Sequence, residues 1–374
     1  MNLVFVINSL AGGGAEHHLL NLARDMVARD YKVWVIVLKR NIHSRAHSLH
    51  QAFIEAEVDI IYLRSYVMSD VGRWFSLARL IHKLRPDIIH SHLPRSDLAA
   101  SIIKLIFPDI YWISTIHDTY TKDKYSGHWI FPFLSRNWHR ADKLIVVSKY
   151  VQKWAIEKLR VSQEKTRVIY HGVSLYEILD SIEKNNGEPL YIGCLARFEK
   201  RKGIETLVRA MPEVIKIFPS VQLLLAGSDP TNYSYTIKIL VRKLRLEANV
   251  KIIGYRIRPL EFLNNLDVFA FASSSEGFGI VLIEAMSVRR PVVASDIYPI
   301  NYIVQHEITG LLVEAGNHHA FAQGLIELLG DTEKRRRMGD AGHQRCVDEF
   351  SLEKSLNRVQ ELYIEMISTE HNHR

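Results

Sequence analysis

Residues Leu190–Phe218 read LYIGCLARFEKRKGIETLVRAMPEVIKIF. Leu190–Cys194 is an apolar run of strand length, Leu195–Lys202 a polar and strongly basic loop, and Gly203–Phe218 a helical stretch. Together they make one strand–loop–helix unit. Just before it, Ser174–Pro189 (SLYEILDSIEKNNGEP) holds little that a core strand could use, and Asn185–Pro189 is a turn cluster. The unit is therefore a restart after a linker. Strands are expected again at Val221–Ala226, Val250–Ile253, Val268–Ala272 and Pro291–Ala294. Alternating strands and helices predict a parallel sheet covered on both faces.

The same grammar fills the N-terminal half. Leu3–Ile7 is a strand, Gly12–Gly14 a tight loop and His17–Ala28 a helix. Strands follow at Val33–Leu38, Asp59–Leu63, Asp87–Ser91, Ile110–Ile116, Lys143–Val147 and Arg167–Tyr170. Short apolar runs of this kind are what strands buried on both faces look like. The expected architecture is α/β: a Rossmann-like domain over residues 1–172, a linker over 173–189, and a second Rossmann-like domain over 190–351. A length of 374 residues fits two domains at roughly 100–200 residues each. In such sheets ligands bind beyond the carboxyl ends of the strands. Two such halves facing each other would make a cleft, so the informative residues are those just after strands.

Composition narrows the class. Hydrophobic residues make up 47% of the chain, enough for two cores. Cys194 and Cys346 fit no zinc or dithiol spacing, which predicts a reducing, cytoplasmic setting. No apolar stretch reaches the ~18–20 residues a membrane span needs. The run Leu3–Ile7 is too short for a signal peptide. The net charge is +7, and all of the excess lies in residues 1–187. That suits an anionic partner such as a membrane surface, unless it only solubilises. Nucleic acid is disfavoured, because the basic residues are scattered rather than gathered with aromatics on one element.

Several loops carry potential chemistry. Asn8–Glu16 is a glycine loop between strand and helix, where backbone can approach an anion. Read as a dinucleotide motif it fails: His17 takes the third glycine position, and Lys39-Arg40 stand where an acidic residue belongs. In Ala196–Gly203, Arg197, Lys200, Arg201 and Lys202 crowd a strand's carboxyl end, where a diphosphate would sit. In Ser273–Glu284, Gly277 and Gly279 keep a loop open so that its amides can point at an anion. Glu284 is a lone carboxylate in an otherwise apolar helix, Ile280–Ser287, and needs hydrogen-bond donors such as sugar or ribose hydroxyls. His117 ends a strand and could donate to a sugar or leaving-group oxygen. His17-His18, His90-x-His92 and His318-His319 lack a third metal ligand at suitable spacing and read as surface or core. No Asp-x-Asp occurs, so no carboxylate clamp for a metal-bound diphosphate is evident.

EGFGIVLIE at Glu276–Glu284, followed by AMSVRRPVVAS, closely resembles the E-x7-E signature of glycosyltransferase family 4, retaining enzymes of the GT-B fold. GGGAEHHLLNLA, IHD at Ile116–Asp118, ADKLIVVS, VIYHGV, IGCLARFEKRKGIETLVRA and FSLEKSLNRVQELY are similar to the family's other landmarks, in order. The last resembles its terminal helix, about 352–374 here, which crosses back to the first domain. The resemblance implies that Arg197 and Lys202 bind the donor diphosphate, that Glu284 holds the ribose hydroxyls, and that Glu276 contacts the donor sugar. Gly277, Phe278, Gly279 and Ile280 would line the donor, with Phe278 and Gly279 offering amides. Gly13 and Gly14 would pass near the phosphate, and His117 near the sugar. It further implies a UDP- or GDP-sugar donor, no metal and no other cofactor.

The expected activity is transfer of a sugar, with retention, to a glycan or lipid-linked acceptor. The N-terminal domain would bind the acceptor, and bacterial envelope, capsule or lipopolysaccharide assembly is the expected setting. The chain departs from the family where Tyr298-Pro299 replaces a glycine pair, Asn301-Tyr302 replaces Pro-Glu, and Arg289-Arg290 stands at a common glycine. Competing readings are a nucleotide-sugar epimerase, a dehydrogenase, and a non-catalytic nucleotide-sugar-binding protein.

Overall fold

The computed structural model describes residues 1–38, 49–63, 70–120, 137–175, 189–256 and 258–371. The chain divides into two compact units. Unit 1 is Met1–His171 with Ser355–Arg374, and unit 2 is Gly172–Lys354.

The apolar runs of the N-terminal half pair as parallel strands: β1 (Asn2–Ile7), β2 (Lys32–Val37), β3 (Asp59–Tyr62), β4 (Ile88–His92), β5 (Tyr111–Ile116), β6 (Lys143–Val146) and β7 (Thr166–Val168). Their order in the sheet is β3-β2-β1-β4-β5-β6-β7. Helices α1 (Gly14–Ala28), α2 (His50–Glu55), α3 (Asp70–Leu84), α4 (Pro94–Ile106) and α5 (Lys149–Leu159) connect them. In α1 the residues at helical spacing, Leu19, Leu22, Ala23 and Met26, are the buried ones. Ser148 caps α5, its hydroxyl accepting from Val151 N at 3.2 Å.

Unit 2 repeats the plan with β8 (Tyr191–Leu195), β9 (Gln222–Ala226), β10 (Val250–Gly254), β11 (Val268–Phe271), β12 (Val292–Ser295) and β13 (Gly310–Val313), ordered β10-β9-β8-β11-β12-β13. Its helices are α6 (Ile204–Ile217), α7 (Ser234–Lys243), α8 (Pro259–Asn264), α9 (Ile280–Ser287), α10 (Ile300–Ile303), α11 (His318–Gly330) and α12 (Thr332–Glu349). Leu207, Met211 and Val214 of α6 pack with Phe321, Leu325 and Leu328 of α11 over the sheet. Side chains buried to this extent contribute roughly 1.5–3 kcal/mol each. Both sheets are parallel throughout, and each has the strand order of a dinucleotide-type fold. β13 was not anticipated from the sequence. The linker expected at 173–189 falls mostly outside the described residues.

The final helix, α13 (Leu352–His371), belongs to unit 1 from Ser355 onward. Its apolar stripe, Leu356, Val359, Leu362, Tyr363 and Met366, is buried. Ser355 Oγ donates to Tyr170 O at 2.7 Å, and Arg29 donates to Asn357 Oδ1 at 2.6 Å.

Candidate active site

In a doubly wound sheet the crevice opens where the strand order reverses. In unit 2 that point lies between β8 and β11. The two loops that follow these strands, 196–202 and 272–279, hold most of the residues singled out from the sequence. They touch at Gly203, whose φ is +64°; a Cβ there would lie 2.0 Å from the Ala272 carbonyl oxygen. Only glycine fits that approach.

Lys202 and Glu276 meet across the two loops. Nζ lies 2.5 Å from Oε1, and both side chains are about nine-tenths buried. Burial opposes ionisation of Glu276, but the Lys202 and Arg201 charges outweigh it and hold the carboxyl below its ordinary range. The Lys202 ammonium also lies 5.7 Å from the centre of the Phe271 ring. Arg197 is half exposed and pairs with Glu199 at 3.1 Å.

Arg201, counted in the basic run but given no role there, fastens the loops. Its Nε donates to Glu199 Oε2 at 3.0 Å and its Nη1 to Ser275 O at 3.1 Å, while its carbonyl accepts from Ser274 N at 2.8 Å.

Beyond Glu276 the loop runs through buried Gly277 and Phe278 to Gly279, the N-cap of α9 at φ 106°. Phe278 anchors it, its ring meeting Phe350 edge-on at 5.9 Å. Ile280 opens the helix. Glu284 lies one turn further on. Its carboxyl has no hydrogen-bond partner among the described residues, and burial pushes its pKa up to about 7. A buried carboxyl that titrates near 7, with no side-chain partner among the described residues, can take hydrogen bonds from hydroxyl ligands.

The family departures have local reasons. Arg289 adopts φ 56°, the left-handed conformation that glycine takes most easily, and pairs with Asp340. Arg290 donates to Leu266 O at 2.9 Å and Val288 O at 3.0 Å. Tyr298-Pro299 is a cis peptide leading into α10. Asn301 donates to Asp296 Oδ1 at 2.8 Å, and Tyr302 to Glu349 Oε2 at 3.2 Å.

In unit 1 the order reverses between β1 and β4. The loop after β1 leads to Gly13, the N-cap of α1, and Gly14, its first residue. The Glu16 carboxylate folds back there; a Cβ at Gly13 would lie 2.6 Å from its Oε2. The first turn of α1 thus already holds an acidic side chain. β4 ends at His92, and Leu93 follows at φ 75°, ψ 150°, a strained backbone for any residue but glycine.

His117, just after β5, lies in a cluster of imidazoles. His92 Nδ1 is 3.1 Å from His117 Nε2, and His117 Nδ1 is 3.4 Å from His171 Nε2. His18 stands edge-on to His171, with ring centres 4.5 Å apart. His90 touches the Tyr363 hydroxyl and Thr115 Oγ1, both at 2.6 Å. Burial, then mutual repulsion, holds His90, His92, His117 and His171 well below their ordinary pKa, and burial takes His18 down to about 4. All five are neutral at pH 7. Below them Asp97 is buried, its pKa pushed up to about 7 despite hydrogen bonds from Ser91 and Ser114. No sequence pattern marked His18, His92 or His171 for this site.

One group among the described residues has metal-ligand spacing. Glu213, His318 and His319 put ligand atoms within 4.8 Å of one another. His318-His319 thus do gain a third ligand-type neighbour, from α6. They stand at the N-terminus of α11, where the helix dipole opposes a cation.

Two parallel sheets of this order, with basic and glycine-rich loops at a switch point, fit a glycosyltransferase of the GT-B type, and comparison bears out the fold and the family. The model of "Glycosyltransferase Family 4" matches residues 12–177, and that of "Glycosyl transferases group 1" matches 177–345. The capsular polysaccharide biosynthesis glycosyltransferase CapM of Staphylococcus aureus is 26% identical over 79% of this chain and 81% of its own. The phosphatidyl-myo-inositol mannosyltransferase of Mycobacterium leprae is 29% identical over 88% and 87%. The crystal structure of Anabaena Alr3699/HepE in complex with UDP and glucose superposes with a TM-score of 0.83 at 21% identity, covering 97% of this chain and 99% of that one. The chain is a family 4-type glycosyltransferase.

Proposed function

We propose that the protein transfers a hexosyl group, with retention and without a metal, from a UDP- or GDP-sugar to a hydroxyl of a glycan or lipid-linked acceptor. The observation that carries this reading is the Lys202–Glu276 pair at the switch point of unit 2, with buried Glu284, its pKa pushed up to about 7, one turn into the adjoining helix. Lys202 and Arg197 take up charge on the departing diphosphate, a preorganised electrostatic contribution of the kind that dominates many enzymes. Glu284 accepts from the ribose hydroxyls and Glu276 from the sugar. Gly277, Phe278, Gly279 and Ile280 present backbone to the donor. Gly13 and Gly14 bring backbone near the phosphate, and His117 meets the sugar. The departing phosphate takes the acceptor proton.

The named relatives act in capsule and glycolipid synthesis, which supports an envelope setting and cytoplasmic work near a membrane. No helix among the described residues is long and apolar enough to cross a membrane. Unit 1 does expose Phe75, Leu105 and Ile106 on α3 and α4, beside Arg79 and Lys83. That mixture suits peripheral contact with an anionic surface.

The test is thermal stabilisation by UDP, GDP, ADP and CMP with their common sugars, in chelator. A shift with UDP or GDP alone, lost in Lys202→Ala, is expected. No shift with any of them would sink the donor assignment.

A further inference from the structure

Glu213 of α6 and His318 and His319 at the start of α11 gather one carboxylate and two imidazoles, with a ligand atom from each within 4.8 Å of the others. His319 Nδ1 already pairs with Glu213 Oε1, and the His318 and His319 rings lie 4.2 Å apart, centre to centre.

Both helices are fixed before any ligand arrives. Leu207, Met211 and Val214 of α6 share one core with Phe321, Leu325 and Leu328 of α11. Asn317 caps α11, its Oδ1 accepting from Ala320 N at 3.1 Å and its Nδ2 donating to Glu314 Oε2 at 2.8 Å. The three side chains thus stand on packed helices rather than on a loop, so little ordering is lost on binding. Two features oppose a cation, and neither is strong. The dipole of α11 costs at most about fivefold in affinity at an exposed terminus. Arg209 and Lys216 lie one turn to either side of Glu213 on α6, yet its carboxylate turns to His319.

We propose that Glu213, His318 and His319 bind a divalent transition-metal ion of the zinc type, which clasps α6 to α11. Two imidazole nitrogens and a carboxylate oxygen suit zinc, with bonds of about 2.0–2.2 Å, whereas magnesium and calcium call for oxygen ligands. Side-chain rotation draws the three atoms in, and the ion replaces the proton that His319 shares with Glu213. His319 is exposed, so a water completes the tetrahedron from that side. Glu213 stands ~14 Å along α6 from Ile204, so the ion is a structural clasp and takes no part at the 196–202 loop. The site stands or falls independently of the transferase reading.

The test is a zinc titration of the whole chain after removal of metal with chelator. Calorimetry is expected to show one ion bound at micromolar zinc, and the melting temperature should rise once zinc is well above Kd. Magnesium should do neither. His318→Ala, His319→Ala and Glu213→Leu should each weaken binding roughly 100-fold or more, since losing even a group that only supports a ligand costs 10–100-fold. Zinc binding of native strength in both histidine variants would place the ion elsewhere and overturn the proposal, as would no binding by the native chain below about 1 mM zinc. If a variant does not fold, cobalt(II) added to the native chain decides. Intense tetrahedral absorption at one equivalent is expected, and weak octahedral bands alone overturn the site.

Discussion

Lys202 Nζ lies 2.5 Å from Glu276 Oε1, although Lys202 belongs to the loop after β8 and Glu276 to the loop after β11. The pair therefore closes the switch point of unit 2 from both sides. Neither charge has much water, so each depends on the other. A buried pair of this kind is weak evidence for stability, because desolvation offsets most of the attraction. Its placement between the two loops at the switch point is the better clue to its use.

Removing one partner should be worse than removing both. Lys202→Ala strands the Glu276 charge and should destabilise the protein by roughly 3–5 kcal/mol. Lys202→Met with Glu276→Leu should recover most of that loss in denaturant melts, yet stay below about one-hundredth of native turnover if the charges act on the donor. A double variant with near-native turnover would reduce the pair to a structural tie.

If Glu284 holds the donor, binding should depend on pH. With its pKa raised to about 7, the carboxyl is largely protonated at pH 6 in the free protein. Ribose hydroxyls donate best to the ionised form, so binding should pull the pKa down and release a proton. Nucleotide affinity should rise from pH 6 to pH 8. Calorimetry in buffers of different ionisation heat should register the proton near pH 7, and Glu284→Gln should abolish it.

The imidazole cluster should make unit 1 acid-sensitive. His18, His90, His92, His117 and His171 have depressed folded pKa values. Between pH ~6.5 and ~4 the unfolded chain therefore holds more protons, and stability is lost as the pH falls, by roughly 1.4 kcal/mol per imidazole per pH unit. Asp97 acts in the opposite sense. Its raised pKa contributes stability at acid pH that is lost as the pH passes 7, so it offsets one imidazole. Hydrogen exchange should show unit 1 opening before unit 2 at pH 5. Equal protection of both units would contradict the burial of these rings.

Much of the fold was legible because strands buried on both faces leave compact apolar runs, and twelve of these were read to within a residue or two. β13 escaped because Gly310–Val313 is only four residues long and begins with glycine. The loops 196–202 and 272–279 stood out by charge and glycine placement. Their wiring did not: a basic run cannot say that Arg201 faces Ser275 while Arg197 faces Glu199. Nor could the imidazole chain be read, since His117 is 25 residues from His92 and 54 from His171. Such contacts exist only once parallel strands bring their carboxyl ends side by side.

Arg201 supplies the last prediction. Its guanidinium reaches Glu199 and Ser275 in two directions at once, and lysine has no fork with which to do so. Arg201→Lys keeps the charge but removes one of the ties between the 272–279 and 196–202 loops. Two hydrogen bonds are at stake, each worth about 0.5–1.5 kcal/mol. If the loops grip the donor diphosphate together, the donor KM should rise about tenfold with kcat less affected, since a loosened loop costs ordering on every binding event. Steady-state kinetics on Arg201→Lys checks this directly. A fall in kcat at constant KM would mean that Arg201 acts on the departing charge itself and not through the loop.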